Sequence, residues 1–222
     1  MNDETPTVFV VDDDPSILRA LTRLLRAGGH AVSAFRSPRE FLAQHDPAVP
    51  GCVVLDLAMP GLNGLELQTA LAASDCERPI IFVSGHGDVP SSVRAMKAGA
   101  VDFLTKPVSE EVLLAAIRRA IDRDRLMRRA RAELQAIGER LNTLTPRERE
   151  VLQHVVSGQL NKQIAADLGT VEKTVKVHRS RVMEKMGVRS LADLVRMAER
   201  IGVTTAAGQS GPRPRSPGTP TP

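Results

Sequence analysis

The stretch Phe9-Val10-Val11-Asp12-Asp13-Asp14-Pro15 decides how the chain folds. An apolar, β-rich run ends in three carboxylates and a proline. Similar short runs recur at 31–35, 52–56, 79–84 and 101–105. Between them lie segments of helical period near 15–28, 37–45, 64–73, 90–98 and from 109 onward. Ser37-Pro38-Arg39-Glu40 is a capping box with proline in the first turn. Apolar strands alternating with helices predict a parallel sheet covered on both faces, a small doubly wound α/β domain.

In such a domain ligands sit beyond the carboxyl ends of the strands. Polar residues gather at those ends: Asp12, Asp13 and Asp14 after the first strand, Asp56 after the third, Ser84 after the fourth and Lys106 after the fifth. Asp14 precedes a proline and reads as a helix N-cap. Asp12 and Asp13 remain, and adjacent like charges favour a cation. Mg²⁺ suits carboxylates and phosphate chemistry. A carboxylate can also act as a nucleophile toward phosphorus. A metal, a hydroxyl and an ammonium would then neutralise the phosphoryl oxygens. Each residue alone reads as a cap or a solvated loop acid; their joint placement points to a site.

Four segments, "VVDDDP", "VVLDLAMPGLNGLEL", "IIFVSGHGD" and "AGAVDFLTKP", resemble in order the motif blocks of response-regulator receiver domains, over residues 7 to about 122. The resemblance implies a flavodoxin-like, five-stranded parallel sheet and phosphorylation by a sensor histidine kinase. It assigns Asp56 as phosphoacceptor. Asp12, Asp13, Asp56 and the backbone carbonyl of Ala58 would hold Mg²⁺ or Mn²⁺. Ser84 and Lys106 would contact the phosphoryl group. Ser84 and Phe103 would form a switch pair, with plain core packing the alternative for Phe103. Lys106-Pro107 is expected to be a cis peptide. Ala58 and His86 would set how long the phosphorylated state lives, unless His86 is a simple surface residue. The stretch "GHGDVPSSVRAMKAGAVDFLTKP" is similar to the FixJ-type subgroup and implies homodimerisation on phosphorylation, with release of the output domain from inhibition the alternative.

Charge divides the chain. Residues 1–122 carry 11 Lys/Arg and 16 Asp/Glu, a net of −5; residues 123–222 carry 19 and 10, a net of +9. An acidic and a basic half predict two domains with different partners. Nucleic acid and an anionic membrane both suit the basic half on charge alone. Aromatics are 2% of the chain, which argues against base stacking as a readout. No apolar run approaches the roughly 20 residues of a membrane span. The acidic N-terminus is unlike a signal peptide. Cys52 and Cys76 show no motif, which favours a reduced, cytoplasmic compartment.

The expected boundaries are 1–122 for the receiver, 123–142 for a helical linker, 143–204 for a DNA-binding domain and 205–222 for a Pro/Gly/Ser/Thr-rich disordered tail. In the linker, Leu126, Ala130, Leu134, Ile137, Leu141 and Leu144 form one apolar stripe. It suits a helix packed on its own domain or a dimer-forming coil.

Beyond it, Thr145-Pro146-Arg147-Glu148 is another capping box, and four short helices with glycine turns fit an all-α helix-turn-helix module. In the third helix Val171, Val175, Val182 and Met186 share one face, opposite Lys173, Val177, Ser180 and Glu184. On a recognition helix Val177 can meet a thymine methyl, and Lys176 and Ser180 a base edge or phosphate. Lys173 and Arg179 suit phosphates. A solvated basic face is the alternative.

"LTPREREVL", "NKQIA", "TVKVHRSRVMEKMGV" and "SLADLV" resemble the LuxR-type DNA-binding domain. The whole chain is thereby similar to the NarL/FixJ group of bacterial transcriptional regulators. The resemblance implies double-stranded DNA contacts by Lys173, Thr174, Lys176, Val177, Arg179, Ser180 and Arg181, RNA polymerase as a partner, and activation of transcription. It implies no enzyme beyond the receiver's own phosphoryl transfer. Val171 departs from the usual Ser/Thr at the helix start, so Thr170 is expected to cap it. Two rivals differ in class. An aspartate phosphatase needs a second acid two residues past its nucleophile, where Ala58 stands. A protein-interaction switch would bind a partner independently of salt.

Overall fold

The computed structural model describes residues 5–74, 77–85 and 89–202. Cys76, His86 and the tail from 205 lie outside the described residues. Contacts divide the chain into two compact units, 1–129 and 130–222.

The first unit alternates strand and helix: β1 (Thr7–Val11), α1 (Pro15–Ala27), β2 (Ala31–Phe35), α2 (Pro38–Gln44), β3 (Gly51–Leu55), α3 (Gly64–Ala73), β4 (Ile80–Ser84), α4 (Val89–Lys97), β5 (Asp102–Thr105) and the start of α5 (Glu110–Asn142). The five strands are parallel, in the order β2-β1-β3-β4-β5. The order reverses at β1, whose neighbours β2 and β3 leave a crevice beyond its carboxyl end. Alternate strand residues feed two cores. Val8, Val10, Cys52, Val54, Ile81 and Val83 pack with α1 and α5. Phe9, Val11, Val53, Leu55, Ile80 and Phe82 pack toward α2, α3 and α4. The near-continuous apolar strands follow from burial on both faces.

Local chemistry starts the helices as expected. Asp14 caps α1, with its Oδ1 accepting from Ser16 N at 2.7 Å. Ser37 caps α2. A capping box of Asn63 and Glu66 opens α3. Gly51 begins β3 at φ 144°, and a Cβ there would lie 1.8 Å from the Thr7 carbonyl oxygen, so only glycine fits.

The contact boundary falls seven residues past the one read from sequence, and the side chains give the reason. Asp124 is buried; its Oδ2 accepts from Gly51 N and from Arg128 Nε, both at 2.9 Å. Arg128 also donates to the carbonyls of Pro47, Ala48 and Val49. Arg78, buried over the Phe9 ring at 4.4 Å, donates to the carbonyls of Asp46 and Val49. Two guanidiniums thus satisfy the carbonyls of residues 46–49, which have no strand partner there.

In the second unit the last turns of α5 are followed by α6 (Pro146–Val156), α7 (Asn161–Asp167), α8 (Glu172–Met186) and α9 (Leu191–Arg200). Val151, Leu152, Val155, Ile164, Val175, Val182, Met186 and Leu194 form its core. The stripe on α5 divides. Ile137 and Leu144 are buried in this core with Leu141 against them, while Leu126 and Leu134 stay exposed.

Candidate functional site: an acidic pocket and a basic helix

The turns after β1, β3 and β5 bring Asp12, Asp56 and Lys106 together. Backbone bonds fix their positions: Asp56 N donates to Val11 O and Lys106 N to Ser84 O, both at 2.9 Å. The Lys106 ammonium donates to Asp12 Oδ2 and to Asp56 Oδ1, each at 2.7 Å. The remaining oxygens are also engaged. Asp12 Oδ1 accepts from Asp14 N at 2.9 Å, and Asp56 Oδ2 from Ala58 N at 2.8 Å. Both carboxylates are buried. Burial pushes the Asp12 carboxyl above its ordinary range, against the pull of Lys106 and the Asp14 amide. Burial works against the charge on Lys106, but its bonds to Asp12 and Asp56 outweigh it and raise its pKa.

Asp13 stands exposed and is not drawn into this cluster. Among the described residues no three acidic, histidine or cysteine side chains are grouped as a metal cage. The donor set nonetheless suits a hard cation: two buried carboxylates share one ammonium, and Asp13 follows Asp12 in the chain. Ser84 is buried at the end of β4. Phe103 on β5 is half-buried and stacks on Phe82, with centroids 5.9 Å apart. The Lys106-Pro107 peptide is cis, as anticipated.

Two residues escaped the sequence reading. Gly64 opens α3 directly beneath the site, where a Cβ would meet the Asp56 carbonyl oxygen at 2.5 Å and a Phe82 ring carbon at 2.9 Å. Its place after the Asn63 cap was the available signal. Buried Gln68 ties α3 to α4 by donating to the carbonyls of Ala95 and Ala98 at 3.1 and 3.2 Å. A glutamine in a helix carries no comparable signal.

In the second unit α8 presents Lys173, Lys176, Val177, Ser180 and Arg181 outward, while Thr174 and Arg179 are half-buried. Lys176 lies 3.4 Å from Glu172, and Arg179 Nη1 donates to Asn161 Oδ1 at 3.2 Å. Val175, Val182 and Met186 point into the core. Val171 does not join them. It occupies the N-cap position and is 64% exposed, because the chain is still extended there. No side chain caps α8. Thr170 does not do so; its N–H donates to Ala165 O at 2.9 Å, holding it in the turn after α7.

An acid-lined crevice at a sheet's switch point, with a helix-turn-helix in the same chain, defines a response regulator. Residues 8–118 match the family described as response regulator receiver domain, and 142–198 the bacterial regulatory proteins of the luxR family. Nodulation protein W of Bradyrhizobium diazoefficiens is 51% identical over 197 residues, 89% of this chain and 87% of that protein. Transcriptional regulatory protein FixJ of Azorhizobium caulinodans is 43% identical over 203 residues, 91% and 96% of the two chains. The solved structure of the response regulator StyR is 47% identical, with a TM-score of 0.78, covering 88% of this chain and 99% of that one. The chain belongs to the NarL/FixJ group of two-component response regulators. It is a regulator of transcription with a receiver and a DNA-binding domain, and not a conventional enzyme. A histidine kinase and DNA are the partners these domains imply.

Proposed function

We propose that Asp56 accepts a phosphoryl group from a sensor histidine kinase, and that this drives the chain to bind promoter DNA. One observation carries the reading: Asp56 is a buried carboxylate at a strand end, with one oxygen 2.7 Å from the Lys106 ammonium and the other 2.8 Å from the Ala58 amide. The kinase's nitrogen–phosphorus bond breaks as an Asp56 oxygen–phosphorus bond forms. Lys106 and the Ser84 hydroxyl then neutralise the phosphoryl oxygens. Asp12, Asp13, Asp56 and the Ala58 carbonyl would hold Mg²⁺ or Mn²⁺. The ion supplies charge neutralisation at the transferring group.

Movement of Ser84 toward the phosphoryl group leaves room for Phe103 to turn inward, biasing a two-state equilibrium of the α4–β5 face. On that side Val89, Val93 and Met96 of α4 and Val112 of α5 are exposed, which supports dimerisation of the phosphorylated receiver. A dimer presents two copies of α8 to paired half-sites. Lys173, Thr174, Arg179 and Arg181 serve phosphates, and Lys176, Val177 and Ser180 base edges. Activation through RNA polymerase is the output, in the cytoplasm. No described helix is long and apolar enough to cross a membrane.

The test is a promoter-fragment pull-down with the purified chain, with and without a small phosphodonor and Mg²⁺. Donor-dependent enrichment that disappears in Asp56→Asn supports the proposal. Equal stimulation of the variant overturns it.

A further inference from the structure

The first unit is acidic overall, yet one of its grooves is strongly basic. It lies between α1 and β2, has a volume of about 590 Å³, and is lined by Pro15, Leu18, Thr22, Ala34, Glu40 and four arginines, 19, 23, 26 and 36. Arg19, Arg23 and Arg26 fall at i, i+4 and i+7, which puts them on one face of α1 over a rise of about 10 Å. Arg36 faces them from the turn after β2. Among the described residues none of these guanidiniums has a hydrogen-bond or ion-pair partner. The one acid in the lining, Glu40, accepts through Oε2 from the backbone N–H of Arg36 at 2.6 Å. Arg78, Arg119 and Arg128 of this unit are bonded to acids or carbonyls, whereas Arg39, Arg94 and Arg118 are exposed singly; what sets the groove apart is that four guanidiniums line one concavity. Four unpaired cations converging on one groove repel one another, and an anion relieves that repulsion.

We propose that this groove binds a compact polyphosphate: inorganic polyphosphate or the triphosphate of a nucleotide. Four guanidiniums against one carboxylate leave an excess of three positive charges, which attracts a multiply charged triphosphate. The planar guanidinium fork suits phosphate oxygens bidentately. The volume lies within the range of small-molecule sites. A protein surface fits less well. Leu18 is buried, and Pro15 and Ala34 offer little of the apolar centre that a protein interface needs. The groove contains neither Asp56 nor any residue of α8, so the inference stands apart from phosphorylation and from operator binding.

The experiment is amide NMR of the full-length chain in about 0.15 M salt, where weak surface attraction is screened. The titrants are inorganic tripolyphosphate, adenosine triphosphate and a short DNA duplex, without Mg²⁺. The expected result is saturable shifts of Leu18, Arg19, Thr22 and Ala34 with tripolyphosphate, at a Kd of about 0.1 mM or below. Arg19→Ser with Arg23→Ser weakens this at least tenfold. Both side chains are exposed, so the fold should persist, and unchanged amide shifts elsewhere check it. Tighter binding of adenosine triphosphate supports a nucleotide as the ligand; equal binding supports the polyphosphate alone. Shifts confined to α8, an affinity indifferent to the arginine substitutions, or shifts at α1 with the duplex only would overturn the proposal.

Discussion

The Lys106 ammonium sits 2.7 Å from Asp56 Oδ1, and it is equally close to Asp12 Oδ2. One cation therefore holds two buried carboxylates side by side. Removing it as Lys106→Ala leaves both acids facing each other in a poorly solvated crevice, at a cost of about 3 kcal/mol. A divalent cation should then stabilise the variant more than it stabilises the wild type. Thermal unfolding with and without Mg²⁺ measures this. Equal increments in Tm would show that Lys106 does not balance the acids.

Gly64 touches the same site from below. Gly64→Ala drives a methyl against the Asp56 carbonyl and the Phe82 ring, so β3's end or α3 must shift. Overpacking of this kind costs about 1–3 kcal/mol. Because the displaced backbone carries the phosphoacceptor, labelling by a small phosphodonor should slow at least tenfold. A folded variant labelled at the wild-type rate would contradict this.

The second unit has its own ion pair, with a buried acid and a half-buried lysine. Glu148 Oε2 lies 2.6 Å from Lys185 Nζ and also accepts from Thr145 N. The Lys185 bond, then the Thr145 amide, hold the Glu148 carboxyl down at about 2, against an ordinary 4.5. A depressed carboxyl stabilises the fold fully above its unfolded value. That stabilisation disappears as pH falls from about 4.5 toward 2. Glu148→Gln should therefore lose about 2 kcal/mol at neutral pH, with the gap to wild type closing across that window. Unfolding midpoints of the second unit between pH 7 and 2 test the sign.

The outward face of α8 separates two kinds of contact. Lys176→Ala and Val177→Ala should each cost about 1–3 kcal/mol on the preferred operator and relax preference at one base position. Lys173→Ala should weaken all sequences alike and lower the slope of log K against log salt by about 1. Binding across a panel of operator variants at several salt concentrations distinguishes them. A salt-insensitive loss at Lys173 would remove it from the phosphate contacts.

The strands were legible because a sheet buried on both faces demands continuous apolar runs, and the acids stood out where those runs stopped. The caps at Asp14, Ser37 and Thr145 were legible because capping is local chemistry. Long-range partners were not. Nothing near Asp124 in sequence announces Gly51, and nothing near Gln68 announces the carbonyls of α4. The expectation that Val171 shares the buried face of α8 failed for a related reason. Helical spacing was extended one residue past the turn in which helical geometry begins. Thr170 failed as a cap because its backbone already serves α7. Arg19, Arg23 and Arg26 carry no sequence signal of a site, because only the fold brings Arg36 across from them.

The bonds from Asp124 and Arg128 to residues 47–51 also decide where the molecule can be cut. A receiver fragment ending at residue 122, the edge that sequence suggests, would strip the Gly51 amide and the Pro47 and Ala48 carbonyls of their partners, while Val49 would keep Arg78. A fragment ending at 129 keeps them. The shorter piece would be a damaged domain, and its behaviour toward kinase or phosphodonor would report the damage rather than the switch.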